Sequence, residues 1–266
     1  MSIVNRRALS KKEPERKLII AKKNKAGRSY GKITVRHRGG EEKRFFRIVD
    51  FRQDKFDIPA RVEALEYDPN HTSWLTLLCY RDGERRYIIA PEGLKVGDEI
   101  ISSQKKIEIR EGNRMPLKYI PLGFMVHNIE LAPGHGGKLV RSAGGGAALL
   151  AREKGYAQLK MPSGEIRLVR DTCSASLGMV SNPKWRHIRW GKAGRMRHRG
   201  KRPEVRGKAM NPRDHPHGGG EGSHPIGLRH PKTPWGKPAF GVKTRKKRKW
   251  TNKYIIKRRV KKKRKK

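Results

Sequence analysis

Through the middle of the chain, apolar residues recur at every second position in short runs: Phe46 to Phe51, Ala60 to Tyr67, Trp74 to Tyr80, Arg86 to Ala90 and Glu99 to Ile109. A period of two sends alternate side chains to one face of a pleated strand, so each run predicts a strand with one face buried. Turn residues separate the runs. Arg81, Asp82, Gly83 and Glu84 join two of them as a hairpin with an Asp-Gly turn, and Asp68-Pro69-Asn70 and Pro91-Glu92-Gly93 supply two more turns.

Five such strands across residues 30–118 predict a small closed barrel, an architecture that includes the OB-fold. A second set follows in Met125 to Leu131, Lys138 to Ala143, Ala147 to Ala151, Ala157 to Met161, Glu165 to Val169 and Ala175 to Met179, with a hairpin turn at Pro162-Ser163-Gly164. Pro116 and Pro121 bracket a short linker between the sets. The pattern therefore predicts a mainly β protein of two small barrels in tandem. Its divisions are a basic extension over 1–29, a first barrel over 30–118, a second over 119–190 and a basic extended segment over 191–266.

Charge separates the ends from the middle. The 266 residues hold 66 Lys and Arg against 24 Asp and Glu, a formal charge of +42. Residues 191–266 alone hold 28 basic and three acidic side chains, with only eight Leu, Ile, Val or Phe. Self-repulsion and missing burial leave such a segment without a core of its own. A polyanion is the partner that would order it.

Other classes fall away on composition. No apolar stretch approaches the ~20 residues a bilayer requires, and Leu18 to Ala21 is too short and too embedded in Lys and Arg for a secretory signal. Cys79 and Cys173 are too few for a disulfide framework or a cysteine metal knuckle, which fits a reducing compartment. Gly137 and Lys138 look like the end of a nucleotide-binding loop, but Leu139 stands where Ser or Thr is required and Ala132 where the first Gly should be. No cofactor or metal is expected.

Nucleic acid is the expected partner. The run containing Arg245, Lys246 and Arg248, and the terminal Lys257 to Lys266, are dense enough to bind phosphate by counterion release. Trp235, Phe240, Trp250 and Tyr254 lie among the charges and suit stacking on bases. RNA is favoured over DNA, because no regular helix stands out to enter a major groove. Gly136, Gly137 and Lys138, and Gly218, Gly219 and Gly220, would let backbone approach a phosphate where a Cβ would clash. The enzyme alternative rests on Asp214 beside His215, an arrangement that can in principle charge an imidazole. Adjacent residues often point apart, however, and nothing nearby supplies a nucleophile. His215, His217, His224 and His230 are too irregularly spaced for a metal site.

Asn211 to Gly222, followed by Thr233 to Gly236, resembles the signature of the large-subunit ribosomal protein two family in its bacterial or organellar form. Arg36, His37, Gly39 and Gly40, the stretch Asp82 to Tyr87 with Arg85 and Arg86, Gly136 with Gly137, Arg141 to Gly144, and Arg202 to Gly207 with Arg206 also look like family segments. The resemblance runs from about Gly27 to the C terminus. It implies an OB-fold, then an SH3-like barrel, with basic extensions threading into rRNA. It also implies roles in assembly, in association with the small subunit beside neighbouring ribosomal proteins, and near the peptidyl transferase region, where RNA is the catalyst. The location implied is a cytoplasmic ribosome, with an organellar one as the alternative. Glu41 and Glu42 replace a Gly and a His usual in the family, and His71 replaces an RNA-binding Arg, so those contacts are expected to weaken or shift.

Overall fold

The computed structural model describes residues 9–21, 27–222 and 224–259. It is mainly β. Among the described residues the one α-helix is the six-residue Ala193–His198, and no helix is long and apolar enough to cross a membrane. The chain divides into two compact units: 9–21, Lys43–Arg189 and 251–259 form the first, and 27–42 with Trp190–Trp250 the second.

Within the first unit, the N-terminal barrel is an antiparallel sheet of strands ordered Arg85–Ile89, Leu75–Tyr80, Ala60–Glu66 and Glu99–Ile100. Val49 pairs with Tyr87 on one edge strand, and Phe56 pairs with Ser102 beyond the other. The segment 49–56 thus joins the two edges and closes the sheet into an OB-fold barrel. Gly83, with φ of 81°, completes the expected hairpin, where Cys79 faces Arg85. A register shift between Val62 and Ala64 turns the second half of its strand. Val62, Leu65, Leu78 and Ile88 then fill the barrel, while Ala64, Leu75, Leu77 and Tyr87 pack outward under Leu18 and Val49. This second cover explains why Trp74 to Leu78 is apolar at every position but Thr76, since that strand is buried on both faces.

A seven-stranded sheet builds the SH3-like barrel, in the order Ile255–Lys257, Ile166–Arg170, Tyr156–Lys160, Ala147–Glu153, Met125–His127, Ser174–Leu177 and Arg114–Pro116. Its core is Val126, Ile129, Leu149, Leu159, Val169 and Leu177, with Leu117 and Ile120 fully buried among them. Some runs are shorter than their alternation suggests. Asn128 (φ 47°) splits Met125 to Leu131 into two short strands, and Val140 (φ 53°) stops the strand Gly137–Leu139. Beyond Ser102, the polar Ser103 to Lys106 forms no strand.

The two barrels are sewn together within this unit. Glu92 donates its N–H to the Met179 carbonyl at 2.7 Å and Gly112 to that of Leu177 at 3.1 Å, and Asn182 Nδ2 donates to the Thr72 carbonyl at 2.9 Å. The second unit has no such core. Among its described residues only Gly200 and His215 are buried, in keeping with its shortage of large aliphatic side chains.

Candidate nucleic-acid interface

Three stretches distant in sequence meet at one cleft. The barrel-closing segment supplies Ile48 to Arg52, the hairpin supplies Glu84 to Arg86, and the loop of the second barrel supplies His135 to Lys138 and Arg141, with Leu18 behind them. The cavity is about 780 Å³. Six residues expected to touch RNA, Arg85, Arg86, Gly136, Gly137, Lys138 and Arg141, line it together.

Their chemistry differs. Arg86 is held by Asp50 at 2.8 Å, Asp54 at 2.6 Å and Glu84 at 2.6 Å. Burial works against its charge, but the three carboxylates outweigh it and raise its pKa. Arg85 pairs with Glu63 at 2.7 Å and Glu15 at 3.5 Å. Arg52 and Lys138, both exposed, have no ion pair among the described residues. The Arg141 guanidinium lies over the Phe51 ring, 4.3 Å from its centroid, a cation–π contact. His71 meets Phe51 edge-on at 6.1 Å, and its Nδ1 is 2.5 Å from the buried Asp68 carboxylate.

The glycines of this loop serve the protein's own packing. The Gly137 N–H donates to the Phe51 carbonyl at 2.8 Å, and the Gly136 N–H to Glu130 Oε1 at 3.1 Å. A Cβ on Gly137 would stand 2.0 Å from Asn128 Oδ1. Glu130 is a hub: it also accepts the N–H groups of Gly134 and Ser174 and pairs with Arg114 at 3.2 Å. Both charges of that pair are buried. Sequence reasoning passed over Glu130, Arg114 and Phe51, whose partners lie at long range and leave no local signal.

The second unit carries the remaining expected residues. Residues 36–42 lie along 197–203, with Gly39 N–H donating to the Gly200 carbonyl at 3.0 Å, Arg202 N–H to that of His37 at 3.1 Å and Glu42 N–H to that of His198 at 3.0 Å. The His37 ring, on a residue at φ 57°, reaches the Pro203 carbonyl at 2.9 Å. Arg36, Arg202 and Arg206 are exposed. Farther on, Asn211 accepts the N–H of Asp214 and His215, and Gly219 N–H donates to the Met210 carbonyl, so the chain folds into a tight turn. Gly218 sits where a Cβ would lie 2.2 Å from the Asn211 carbonyl oxygen, and Gly220 where it would lie 2.8 Å from the His224 ring. His215 tucks against Gly207, where a Cβ would come within 2.5 Å of the imidazole.

Among the described residues no hydrogen bond joins the Asp214 carboxylate to the His215 ring. His215 Nδ1 accepts the His217 N–H at 3.0 Å, so that nitrogen carries no proton to donate to a carboxylate. His217 Nε2 likewise accepts the Lys232 N–H at 2.8 Å. Burial, then His215 and Lys232, lower the His217 pKa. Among the described residues no three His, Cys, Asp or Glu side chains gather as a metal site. Trp235 stands 76% exposed at the tip of a turn closed by Thr233 N–H on the Lys237 carbonyl. Phe240 and Trp250 are similarly open. Arg245, Lys246 and Arg248 are exposed, whereas residues 260–266 of the terminal basic run lie outside the described residues.

Tandem small barrels, a basic cleft and a coreless cationic segment with open aromatics define a structural RNA-binding protein. Residues 15–102 match the family described as Ribosomal Proteins L2, RNA binding N-terminal domain, and residues 110–236 match Ribosomal Proteins L2, C-terminal domain. The chain belongs to the ribosomal protein L2 family, whose members bind rRNA as structural parts of the large ribosomal subunit.

Proposed function

We propose that this chain acts as an assembly protein of the large subunit in a cytoplasmic ribosome. The packed body grips a folded rRNA surface while the basic segments of 1–29 and 191–266 that lie outside its strands thread between rRNA segments. It supports joining to the small subunit beside neighbouring ribosomal proteins, and the turn at Asn211 to Gly222 stands near the peptidyl transferase region. The contacts assigned to rRNA are the exposed cations of both units, the His37 and His71 loops, the Asp214 to Gly220 turn and Trp235. The observation that carries this is the second unit, where a strongly cationic segment with almost nothing buried presents aromatic side chains to the outside. Such a segment gains order from an anionic partner with faces to stack on.

The test is reconstitution of large subunits with the His215→Ala chain, checked for equal occupancy and intact RNA. Fewer complete particles or weaker subunit joining are expected, with single-turnover peptide-bond formation keeping its pH profile. A general base would leave its titration near ~6.5 in the rate. Loss of that titration in the variant particles alone would overturn the structural role and restore catalysis.

A further inference from the structure

The cleft between the two barrels has a wall that phosphate contacts do not explain. Leu18, Ile48, Val49 and Phe51 form its apolar side, and Ile48 is 43% exposed. A-form RNA offers its partners phosphates, 2′-hydroxyls and a shallow groove, with the bases stacked away. None of those groups would replace water favourably on an aliphatic and aromatic surface.

Resting on the rRNA-binding function above, we propose that this cleft receives one nucleobase extruded from the rRNA stack, leaving its phosphate at the mouth. The cavity of about 780 Å³ falls within the ~300–1,000 Å³ typical of small-molecule sites, so a nucleoside fits and a helix does not. Arg141, lying over Phe51, has a second guanidinium face on which a base can stack, as unpaired bases do on arginine planes. Cation bookkeeping at the rim points the same way. Arg86 is neutralised by Asp50, Asp54 and Glu84, and Arg85 by Glu63 and Glu15. Arg52 and Lys138 remain for the phosphodiester. Burial of the Gly136 and Gly137 amides in bonds to Glu130 and Phe51 keeps the loop rigid, so the slot exists before RNA arrives. Rigidity lowers the ordering cost of an otherwise unfavourable base extrusion.

Two measurements test this. In the full-length chain with labelled Ile and Leu methyl groups, each of the four nucleoside 5′-monophosphates is titrated alongside ribose 5-phosphate and inorganic phosphate. At least one nucleotide is expected to shift Ile48 and Leu18 saturably, and Ile48→Trp to weaken that binding about tenfold or more. Equal shifts from ribose 5-phosphate would reduce the site to an anion patch and overturn the proposal. So would no shift at roughly ten times a millimolar Kd. In assembled subunits, a benzophenone amino acid placed at position 48 is expected to crosslink to the base of one nucleotide. Crosslinks to a neighbouring protein, or scattered over many nucleotides, would overturn it as well. Wild-type and Ile48→Trp chains are also run through high-salt gradients with the large subunit. If both remain bound while the methyl and crosslinking results fail, the nucleobase slot is wrong and the rRNA-binding function stands. If wild type itself is released, the fault lies with that function.

Discussion

At the residue scale, two buried ionisable sites, one an ion pair and one a histidine, have measurable consequences. Arg114 is 1% exposed and Glu130 3% exposed, and desolvation pushes the Arg114 pKa down against the pull of Glu130. An arginine stays charged at neutral pH. Glu130→Ala should therefore leave an uncompensated buried cation and free the amides of Gly134, Gly136 and Ser174, lowering stability by about 3–5 kcal/mol. Urea denaturation of the variant measures this, and an unchanged midpoint would show that the pair contributes nothing. His127 is the second case. Burial lowers its pKa to about 4, opposed by its bond to the Gly178 carbonyl, where Nδ1 donates at 3.0 Å. In the unfolded chain an imidazole titrates near ~6.5. Between those values the unfolded chain binds a proton that the folded chain refuses. The stability contributed is complete above about pH 6.5 and is lost as pH falls towards 4, on the order of 3 kcal/mol. His127→Asn, which keeps a donor without the titration, should flatten the stability curve across that window.

At the element scale, the C-terminal strand Ile255–Lys257 is the most consequential addition to the expected pattern. It lies within a stretch whose composition promises only solvated charge, yet Ile255 pairs with Arg167 and Lys257 with Ile166. The Tyr254 ring packs 6.3 Å from that of Tyr156. The strand is three residues long, so its alternation is too brief to separate from chance. Ending the chain at Trp250 should cost the second barrel about 1–3 kcal/mol by uncovering the edge of Ile166–Arg170. Thermal unfolding followed by near-ultraviolet circular dichroism reports it. An equally stable truncated chain would show the strand to be ornamental. Turn residues behave oppositely and were plain in advance: Gly83 (φ 81°) and Gly164 (φ 83°) occupy conformations that other residues rarely adopt, and both stand in the hairpins expected of them.

For the whole molecule, the contrast is between a body with a packed core and a cationic unit without one. Without RNA, trypsin should cut within 190–250 and 27–42 well before 43–189, because local opening is cheapest where few apolar contacts resist it. Equal resistance of both would refute the division. The logarithm of the affinity for rRNA should fall linearly with the logarithm of salt, with a slope reflecting on the order of six to ten neutralised phosphates. Removing 243–266 should flatten that slope, and binding isotherms at several ionic strengths would show whether it does.

What could be read from the residues alone was additive or local. Charge sums without reference to geometry, so the polyanionic partner and the coreless end followed from counting. Period-two alternation and Asp-Gly or Pro-Ser-Gly turns act over a few residues, so most strands and both hairpins of the barrels were legible. The candidate site was legible only as separate pieces: Arg85 and Arg86, Gly136 to Lys138, and Arg141. Packing decided that these pieces share one cleft with Phe51 and Leu18, that Arg86 spends its charge on Asp50, Asp54 and Glu84, and that Gly136 and Gly137 turn their amides inward. Each of these depends on which distant segments come to lie within a few ångströms of one another, and a contact of that kind exists only once two sheets have closed and docked.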